Sequence, residues 1–340
     1  METVFLTFIL SYLFISLLIR YSERFGLQDI PNARSAHKKV TPRSAGVGFV
    51  LAALLSLFIV HFSHVIHFYY IYLAIFAITL LGLYDDKFHI SHKVKFIGLT
   101  FAALYVSSHG VLIESLGNYF GFDFTLPLWF AVIFSTFAII GFTNALNLMD
   151  GLDGLAGGLS LIMLLFYFTI GYIHHDMLMI YLSSSFTAAI IAFLLFNWHP
   201  AKIFMGDSGS LSLGFVIAIL SIESLNYIPP SAILFIIAMP LIDTFIVMRR
   251  RIQRGESPFK ADKNHIHHFL YKVKVHVQFS VLMLLYLQLA LSIIGYQLAC
   301  ANEALSLVLF GLLLYIFLNM FDQRFRYREK KKPRKKGKIL

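Results

Sequence analysis

Residues 144–158 read NALNLMDGLDGLAGG and lie between two of the most apolar stretches of the chain. Four polar side chains interrupt the apolar sequence there: Asn144, Asn147, Asp150 and Asp153. Of all 340 residues, 58% are hydrophobic and only 14% are charged, whereas about a quarter of the residues in a soluble domain carry charge. The composition therefore excludes an ordinary soluble domain and predicts a membrane protein with a polar site at this stretch.

Long apolar runs recur along the whole chain. A transmembrane helix needs about 20 mostly apolar residues, and the candidate runs are residues 3–19, 46–63, 68–84, 96–113, 127–143, 155–173, 177–197, 208–222, 229–248, 279–300 and 304–321. The first run begins METVFLTF, with an acidic residue where a secretory signal is basic, so we expect it to remain as an anchor. We predict an all-α integral membrane protein with about eleven transmembrane helices.

The basic residues are distributed unevenly between the two sets of loops that alternating spans would create. One set holds all 28 Lys and Arg residues of the chain and comprises residues 20–45, 85–95, 144–154, 198–207, 249–278 and 322–340. Because basic short loops stay in the cytoplasm, we predict a periplasmic amino terminus and a cytoplasmic carboxyl terminus. Residues 1–321 would form one polytopic catalytic domain, and residues 322–340 a basic cytoplasmic tail that contacts anionic membrane lipids.

The net charge of +10 is therefore explained mainly by topology. No folded nucleic-acid-binding module accompanies the basic tail, so we expect no nucleic-acid partner. The single cysteine, Cys300, excludes an internal disulfide and a Cys-rich metal site.

Carboxylates gather on the side that carries the basic residues. Asp85 and Asp86 are adjacent at the end of an apolar run, where two like charges near a membrane boundary need a compensating cation or proton. A solvated helix terminus is the alternative interpretation. Lys87 and Lys93 can supply part of the compensation, and a divalent metal or the substrate chemistry would supply the rest.

The stretch at 144–158 adds two more carboxylates. Asp150 and Asp153 are three residues apart, hence on one face of a helix, and Asn144 and Asn147 extend that stripe. A polar seam between helices is one explanation. The glycines of the stretch favour a ligand site, because they allow close approach of the backbone.

Asp207 occurs in the motif MGDSGS at the start of another apolar run. Together with the other carboxylates it makes a set of oxygen ligands, and such ligands suit Mg²⁺ or Mn²⁺ rather than zinc.

The sequence HIHH at residues 265–268 has two interpretations. Clustered imidazoles bind transition metals, but in a loop rich in arginine and lysine they also donate hydrogen bonds to phosphate oxygens. One histidine cluster beside many carboxylates favours the phosphate. The chain contains no GxxxxGK[ST] motif, which excludes a P-loop enzyme. Carboxylates for Mg²⁺, basic groups for phosphates and a lipid-facing body together predict phosphoryl transfer from a nucleotide-linked donor to a membrane-resident acceptor.

Five motifs in one order then identify a family. The sequences DIPNARSAH, LYDDKFHISHK, NALNLMDGLDGL, FMGDSGSLSLG and PFKADKNHIHH succeed one another between residues 29 and 268. This order resembles the polyprenyl-phosphate N-acetylhexosamine-1-phosphate transferases. The HIHH form resembles the branch that starts O-antigen, enterobacterial common antigen or teichoic acid synthesis, whereas the peptidoglycan branch typically carries three consecutive histidines.

The resemblance implies a reaction and a location. N-acetylhexosamine-1-phosphate, with N-acetylglucosamine as the expected sugar, would move from a UDP-sugar to undecaprenyl phosphate and release UMP. The enzyme would lie in the bacterial cytoplasmic (inner) membrane with its active site on the cytoplasmic face. Members of the family are often dimeric, so the resemblance is compatible with a homodimer and leaves the oligomeric state open.

The resemblance also implies roles for individual residues. Asp207 and Asn147 would hold Mg²⁺, with Mn²⁺ as an alternative, against the diphosphate. Asp85 would receive the proton of the lipid phosphate or position that phosphate, with Asp86 in support. Lys93 would contact phosphate.

The remaining residues would form the nucleotide and sugar sites. Asp150 and Asp153 would shape the nucleotide site, with Asp153 close to the uracil. The other predicted substrate-binding residues are Asn32, Arg34, Asn144, His265, His267 and His268. For Asn32 and Arg34, a structural role in organising their loop is an equal alternative.

Three rival functions stay open at this point. A UDP-MurNAc-pentapeptide transferase is disfavoured by Ile266 within the histidine run. A transporter would use intramembrane polar residues such as Asp243 and Asn144 as an ion path, but the polar groups cluster at one face and no inverted repeat is evident. A histidine-box membrane oxidase is disfavoured because it needs several such boxes.

Overall fold

A computed structural model describes residues 1–29, 40–257 and 276–331, with side chains up to residue 320. Helices make up most of it: α1 Glu2–Phe25, α2 Ala45–Val60, α3 Phe62–His67, α4 Tyr69–Phe88, α5 His92–Ser108, α6 Leu128–Met149, α7 Leu155–His174, α8 Met177–Asn197, α9 Gly206–Glu223, α10 Pro230–Ile236, α11 Ala238–Gln253, α12 Val277–Ala301 and α13 Glu303–Lys331. The protein is a helical, multi-pass membrane protein, as the composition predicts.

Two short antiparallel hairpins supplement the helices. Strands β1 (Gln28–Asp29) and β2 (Thr41–Pro42) pair before α2, and strands β3 (Ser115–Tyr119) and β4 (Phe122–Thr125) pair between α5 and α6. The prediction of an all-α protein is therefore correct for the body of the molecule but omits these two hairpins.

Seven helices of the described chain are long and apolar enough to cross a bilayer: α1, α6, α7, α8, α9, α12 and α13 up to Met320. The pair α10–α11 raises the number to eight if it counts as one span, and α2 is a shorter apolar helix. Each predicted apolar run coincides mainly with a helix or a helix pair. The number of eleven spans and their orientation nevertheless remain predictions.

The predicted continuous span at residues 229–248 is wrong in one respect, because the helix breaks. Helices α10 and α11 meet at Ile237 with a bend of 82°. Pro240 explains the break, since a proline inside a helix lacks the backbone N–H and its ring clashes with the carbonyl four residues earlier, here that of Ile236.

Helix α9 forms the centre of the molecule. Every residue from Ser208 to Ile222 is buried, and α9 packs against α2, α4 and α6. A helix that is apolar on all sides and carries small polar residues such as serine fits such a central position.

Glycines allow the first turn of α9 to contact two neighbouring helices backbone to backbone. A Cβ atom added to Gly46 of α2 would lie 1.9 Å from the backbone nitrogen of Gly209, and one added to Gly82 of α4 would lie 2.4 Å from the Cα atom of Ser208. The start of α9 is therefore wedged between α2 and the end of α4, which carries Asp85 and Asp86.

The substitution Gly46→Ala is expected to destabilise the protein, because the added methyl group has no space beside Gly209. Overpacking of this kind costs about 1–3 kcal/mol. Thermal unfolding in detergent should show a lower midpoint than for the wild type. The control is Gly141→Ala in α6, where an added Cβ atom meets nothing within 4 Å and helix propensity improves. Equal midpoints for the two variants would contradict this account of the packing.

Candidate active site

A carboxylate of α4 caps the amino terminus of α9. Asp86 accepts hydrogen bonds from the backbone nitrogens of Asp207 (2.7 Å) and Ser208 (3.2 Å) and from the hydroxyl of Ser208 (2.8 Å). It also accepts from the hydroxyl of Ser44 (2.8 Å) and forms an ion pair with Nε of Arg43 (3.0 Å). A negative charge at a helix amino terminus is favourable, so Asp86 anchors α9 rather than facing a ligand.

The sequence MGDSGS permits this arrangement at one particular glycine. Gly206 has φ +74°, and an added Cβ atom would lie 2.5 Å from Oδ2 of Asp86. Only glycine adopts that backbone conformation readily and leaves room for the carboxylate. The N-cap residue, Met205, makes no side-chain cap, so Asp86 supplies from another helix the capping group that the local sequence lacks.

Two further carboxylates share one ammonium group. Lys95 Nζ lies 2.6 Å from Oδ2 of Asp85 and also binds Oδ2 of Asp207. Arg43 approaches Asp207 from the other side, with Nη2 3.4 Å from Oδ1. Three carboxylates therefore meet two cations at the junction of α4, α5 and α9. The adjacent aspartates are thus compensated by Lys95 at Asp85 and by Arg43 at Asp86, and not by Lys87 and Lys93, which are exposed.

Asn147 and Asn144 separate in the structure. Asn147 Nδ2 donates to the hydroxyl of Ser210 on α9 (2.7 Å), which leaves its Oδ1 available as an acceptor. Asn144 Nδ2 donates instead to the carbonyl of Ile140 in its own helix (2.8 Å). Asn147 thus joins α6 to the carboxylate cluster, whereas the described contact of Asn144 is internal to α6.

Asp150 ends α6 beside the cluster. Burial raises the pKa of its carboxyl to about 7, the negative charge of Asp207 adds to this rise, and the positive charge of Arg43 opposes it. A carboxyl with a pKa near neutrality exchanges protons under physiological conditions, which is a common property of groups in active sites.

Asp153 is tied to the loop that follows α8. It accepts from Nδ1 of His199 (2.7 Å) and from the backbone nitrogen of Ala201 (3.1 Å). The next residue, Gly154, donates its backbone N–H to Oδ1 of Asn197 (2.9 Å). The loop at 150–154 and the loop at 198–205 therefore form one rim next to the carboxylate cluster.

The structure brings together Asp85, Asp86, Asp207, Asn147 and Asp150, and it places Lys93 on the exposed surface instead. Residues Asn32, Arg34, His265, His267 and His268 lie outside the described residues. Sequence reasoning did not find the following members of the site: Arg43, Ser44, Lys95, His199 and Ser208. A helical projection of the sequence KVK would have placed Lys93 and Lys95 on different faces of the helix. Arg43 and Ser44 could have been found because they lie in the sequence TPRSAG, shortly after the first motif.

The residues present fit a magnesium ion in one particular way. Within residues 1–29, 40–257 and 276–331, no three His, Cys, Asp or Glu side chains form a ready-made metal site. Asp85 and Asp207 converge on a single positive charge, the ammonium of Lys95. Mg²⁺ typically uses only one or two protein carboxylates and takes its other ligands from water and substrate phosphates. One carboxylate of this pair, Asp207, with the amide oxygen of Asn147 as a second protein ligand, would therefore suit a cation that arrives with a phosphorylated substrate.

The fold and the site define a helical membrane protein with a charged cluster held among its helices. The model of glycosyl transferase family 4 matches residues 68–225, which contain all of the carboxylates of the cluster. The chain is 32% identical, over 97% of its length and 93% of the relative, to a probable undecaprenyl-phosphate N-acetylglucosaminyl 1-phosphate transferase of Bacillus subtilis (strain 168).

Two enterobacterial relatives agree with this match. The undecaprenyl-phosphate alpha-N-acetylglucosaminyl 1-phosphate transferase of Yersinia pestis is 30% identical over 92% of this chain and 87% of the relative. The protein with the same name in Escherichia coli (strain K12) is 31% identical over 77% of this chain and 74% of the relative. The chain belongs to glycosyl transferase family 4 and is related over most of its length to undecaprenyl-phosphate N-acetylglucosaminyl 1-phosphate transferases, so the resemblance drawn from the five motifs is confirmed.

Replacing Lys95 by methionine is expected to lower stability in EDTA, since Asp85 and Asp207 would lose their shared counter-charge. Removing one partner of a fully buried ion pair costs about 3–5 kcal/mol, and the 14% exposure of the Lys95 side chain should make the loss smaller. Lys93→Met, on the exposed surface, should leave the unfolding midpoint unchanged. Added Mg²⁺ should restore much of the midpoint of Lys95→Met. An equal effect of the two substitutions would contradict the assignment.

A second prediction concerns Asp150 and pH. Its pKa of about 7 in the folded protein exceeds the ordinary value, so the folded state holds the proton more tightly than the unfolded state. That contribution to stability is complete below about pH 4 and is lost as the pH rises through 7. Without divalent cations, the unfolding midpoint of Asp150→Asn minus that of the wild type should therefore grow from pH 5 to pH 8.

The control for the pH series is Asn144→Ala, which removes a nearby amide but no titrating group. Its difference from the wild type should stay constant across the same pH range. A pH-independent difference for Asp150→Asn as well would contradict the raised pKa.

Proposed function

We propose that the protein transfers N-acetylglucosamine-1-phosphate from UDP-N-acetylglucosamine to undecaprenyl phosphate and releases UMP. The proposed sugar and the proposed acceptor are those in the names of the relatives. The observation that carries the proposal is the cluster in which Asp85 and Asp207 share the ammonium of Lys95 while Arg43 pairs with Asp86 and Asp207. Such a cluster exchanges its internal ion pairs for phosphate groups and a cation when substrates bind.

In the proposed reaction an oxygen of the lipid phosphate attacks the phosphorus attached to the sugar. The bond from that phosphorus to the oxygen bridging the two phosphates of the donor breaks, and UMP leaves with the bonding electron pair. Both substrates are anionic, so the main task of the site is to bring them together against their repulsion. Lys95 and Arg43 are the described cations placed to contact phosphate oxygens.

Magnesium, with manganese as an alternative, would neutralise charge on the diphosphate. Asp207 at the start of α9 and Oδ1 of Asn147 in α6 would hold it, because Ser210, three residues after Asp207, engages the amide nitrogen of Asn147 and leaves the amide oxygen to accept a ligand. Asp85 is then left to position the acceptor phosphate or to take its proton. Asp86 keeps its role of holding α9 in place.

The nucleotide would lie toward the rim made by the loops at 150–154 and 198–205. Asp150 stands next to the cluster, and Asp153 is held in a fixed orientation by His199 and Ala201. A carboxylate held in this way can read the edge of a base. Asn32, Arg34, Lys93, Asn144, His265, His267 and His268 keep their proposed role in substrate binding.

The proposed location is the bacterial cytoplasmic membrane with the site on its cytoplasmic face. All 28 Lys and Arg residues lie in loops assigned to that side, including Lys95 and Arg43. The long apolar helices keep the body of the protein, and with it the lipid tail of the acceptor, in the bilayer. Synthesis of a cell-surface polysaccharide other than peptidoglycan is the proposed pathway, since Ile266 interrupts the histidine run.

The test is an assay with purified protein, undecaprenyl phosphate, Mg²⁺ and a panel of UDP-sugars, in which UMP release is measured. UDP-N-acetylglucosamine should be the best donor, and EDTA should abolish the reaction. Asp85→Asn, Asp150→Asn and Asp207→Asn should each lower kcat/KM by about 100-fold or more, the usual effect of removing a group that stabilises transition-state charge.

Glu114→Gln is the matched control, because Glu114 is an exposed acid between α5 and β3, outside the cluster. It should keep near-normal turnover. Near-normal turnover by all three aspartate variants would refute the site, and a preference for UDP-MurNAc-pentapeptide would move the enzyme to the peptidoglycan branch.

A further inference from the structure

The break between α10 and α11 exposes backbone groups inside an apolar body. Pro240 cannot donate to the carbonyl of Ile236, and the start of α11 leaves the N–H of Met239 without a partner in its own helix. Buried backbone groups of this kind cost several kcal/mol each when nothing satisfies them in a membrane. Another part of the chain must therefore supply hydrogen bonds at the break.

One side chain of α12 supplies them. Gln288 is fully buried, and its Oε1 accepts from the backbone nitrogen of Met239 (2.9 Å). The two N–H groups of its Nε2 are shared among three acceptors within hydrogen-bond distance: the carbonyls of Ile236 (2.7 Å) and Phe235 (3.2 Å) and the hydroxyl of Ser292 (2.7 Å). A single amide thus satisfies backbone groups on both sides of the bend, which apolar side chains cannot do.

The face of α12 around Gln288 is matched to the bend. Ser292 and Gly295 come four and seven positions after Gln288, on the same side of the helix. A Cβ atom added to Gly295 would lie 2.1 Å from Cβ of Phe235. The glycine lets α10 contact α12 closely, and this contact keeps the amide of Gln288 within reach of the break.

The direction of α11 matters because its end leads into the histidine motif. Arg250 and Arg251, near that end, are only 4% and 5% exposed, so this end is packed into the protein. The described chain continues to residue 257, and the motif PFKADKNHIHH begins at the next residue. The angle at Ile237 therefore sets the direction of the chain up to residue 257, the last described residue before the motif.

We propose that Gln288 is a positioning residue for the transfer reaction: it holds the bend between α10 and α11 and thereby fixes the end of α11 that leads into residues 258–268. This rests on the proposed function, in which those residues bind the donor. Gln288 itself touches no reacting atom.

The first test compares kinetics with stability in three variants. Gln288→Leu should lower the unfolding midpoint and reduce kcat/KM for the UDP-sugar at least tenfold. Pro240→Ala restores an N–H that can bind the carbonyl of Ile236, so Gln288→Leu/Pro240→Ala should regain the midpoint. The double variant should nevertheless keep the kinetic defect, because a straighter helix points the end of α11 elsewhere. The single variant Pro240→Ala measures how much the proline alone contributes to the unfolding midpoint and to kcat/KM.

The second test measures the bend without activity. In a Cys300→Ser background, spin labels at Lys87→Cys in α4 and Ile252→Cys in α11, both exposed positions, report the distance between the two helix ends. Gln288→Leu/Pro240→Ala should shift this distance by several ångströms. Ser280→Ala, a buried position of α12 whose hydroxyl has no hydrogen bond among the described residues, should shift neither distance nor kinetics.

The outcomes separate the two proposals. An inactive wild type with a distance shift in the variants would refute the proposed function and leave the role of Gln288 in the bend intact. An active wild type whose Gln288→Leu variant keeps its kinetics would overturn the role of Gln288. Joint recovery of stability and activity in the double variant would also overturn it, because it would reduce Gln288 to a structural group.

Discussion

The arrangement of the site depends on the contact between Asp86 and the amino terminus of α9. A carboxylate in that position receives two backbone N–H groups and two serine hydroxyls and faces the positive end of the helix dipole. Because α9 is buried along nearly its whole length, water cannot supply hydrogen bonds to the free backbone N–H groups of its first turn. The capping carboxylate must come from a neighbouring helix, and α4 provides it where Gly82 allows close contact.

The capping contact at α9 explains why the adjacent residues Asp85 and Asp86 have different partners. Successive residues of a helix point about 100° apart, so Asp86 turns toward the backbone of α9 while Asp85 turns toward Lys95. Asp207 follows Gly206 directly and is placed opposite Asp85 by the same capping contact. Two carboxylates thus converge on one cation without a dedicated metal cage. Lys95 offsets part of their repulsion inside the protein before any substrate binds.

Hydropathy and motif order were sufficient to predict the helical body and most of the cluster. Asp85, Asp150 and Asp207 come together in the structure, and each lies at the end or the start of an apolar run, on the side to which the loop charges assign it. Lys95 was missed because the choice between two nearby lysines depends on the rotation of α5 about its axis, which hydropathy does not determine. The break at Ile237 was missed because residues 229–248 remain apolar through Pro240, although the proline itself was visible.

Residues 68–225, which match the family model, contain the carboxylates and Lys95, whereas Arg43, Gln288 and the whole of α11 lie outside them. Within the matched part, α4 contacts α9 backbone to backbone at Gly82 and Ser208, and this contact tolerates little change. The end of α11 is set instead by a proline and one amide on another helix. Substitution of a few residues can therefore change the angle between α10 and α11 without disturbing the capping contact at Asp86. Under the proposed function, differences in donor recognition between relatives are therefore expected to arise in α11 and the segment after it rather than in the charged cluster.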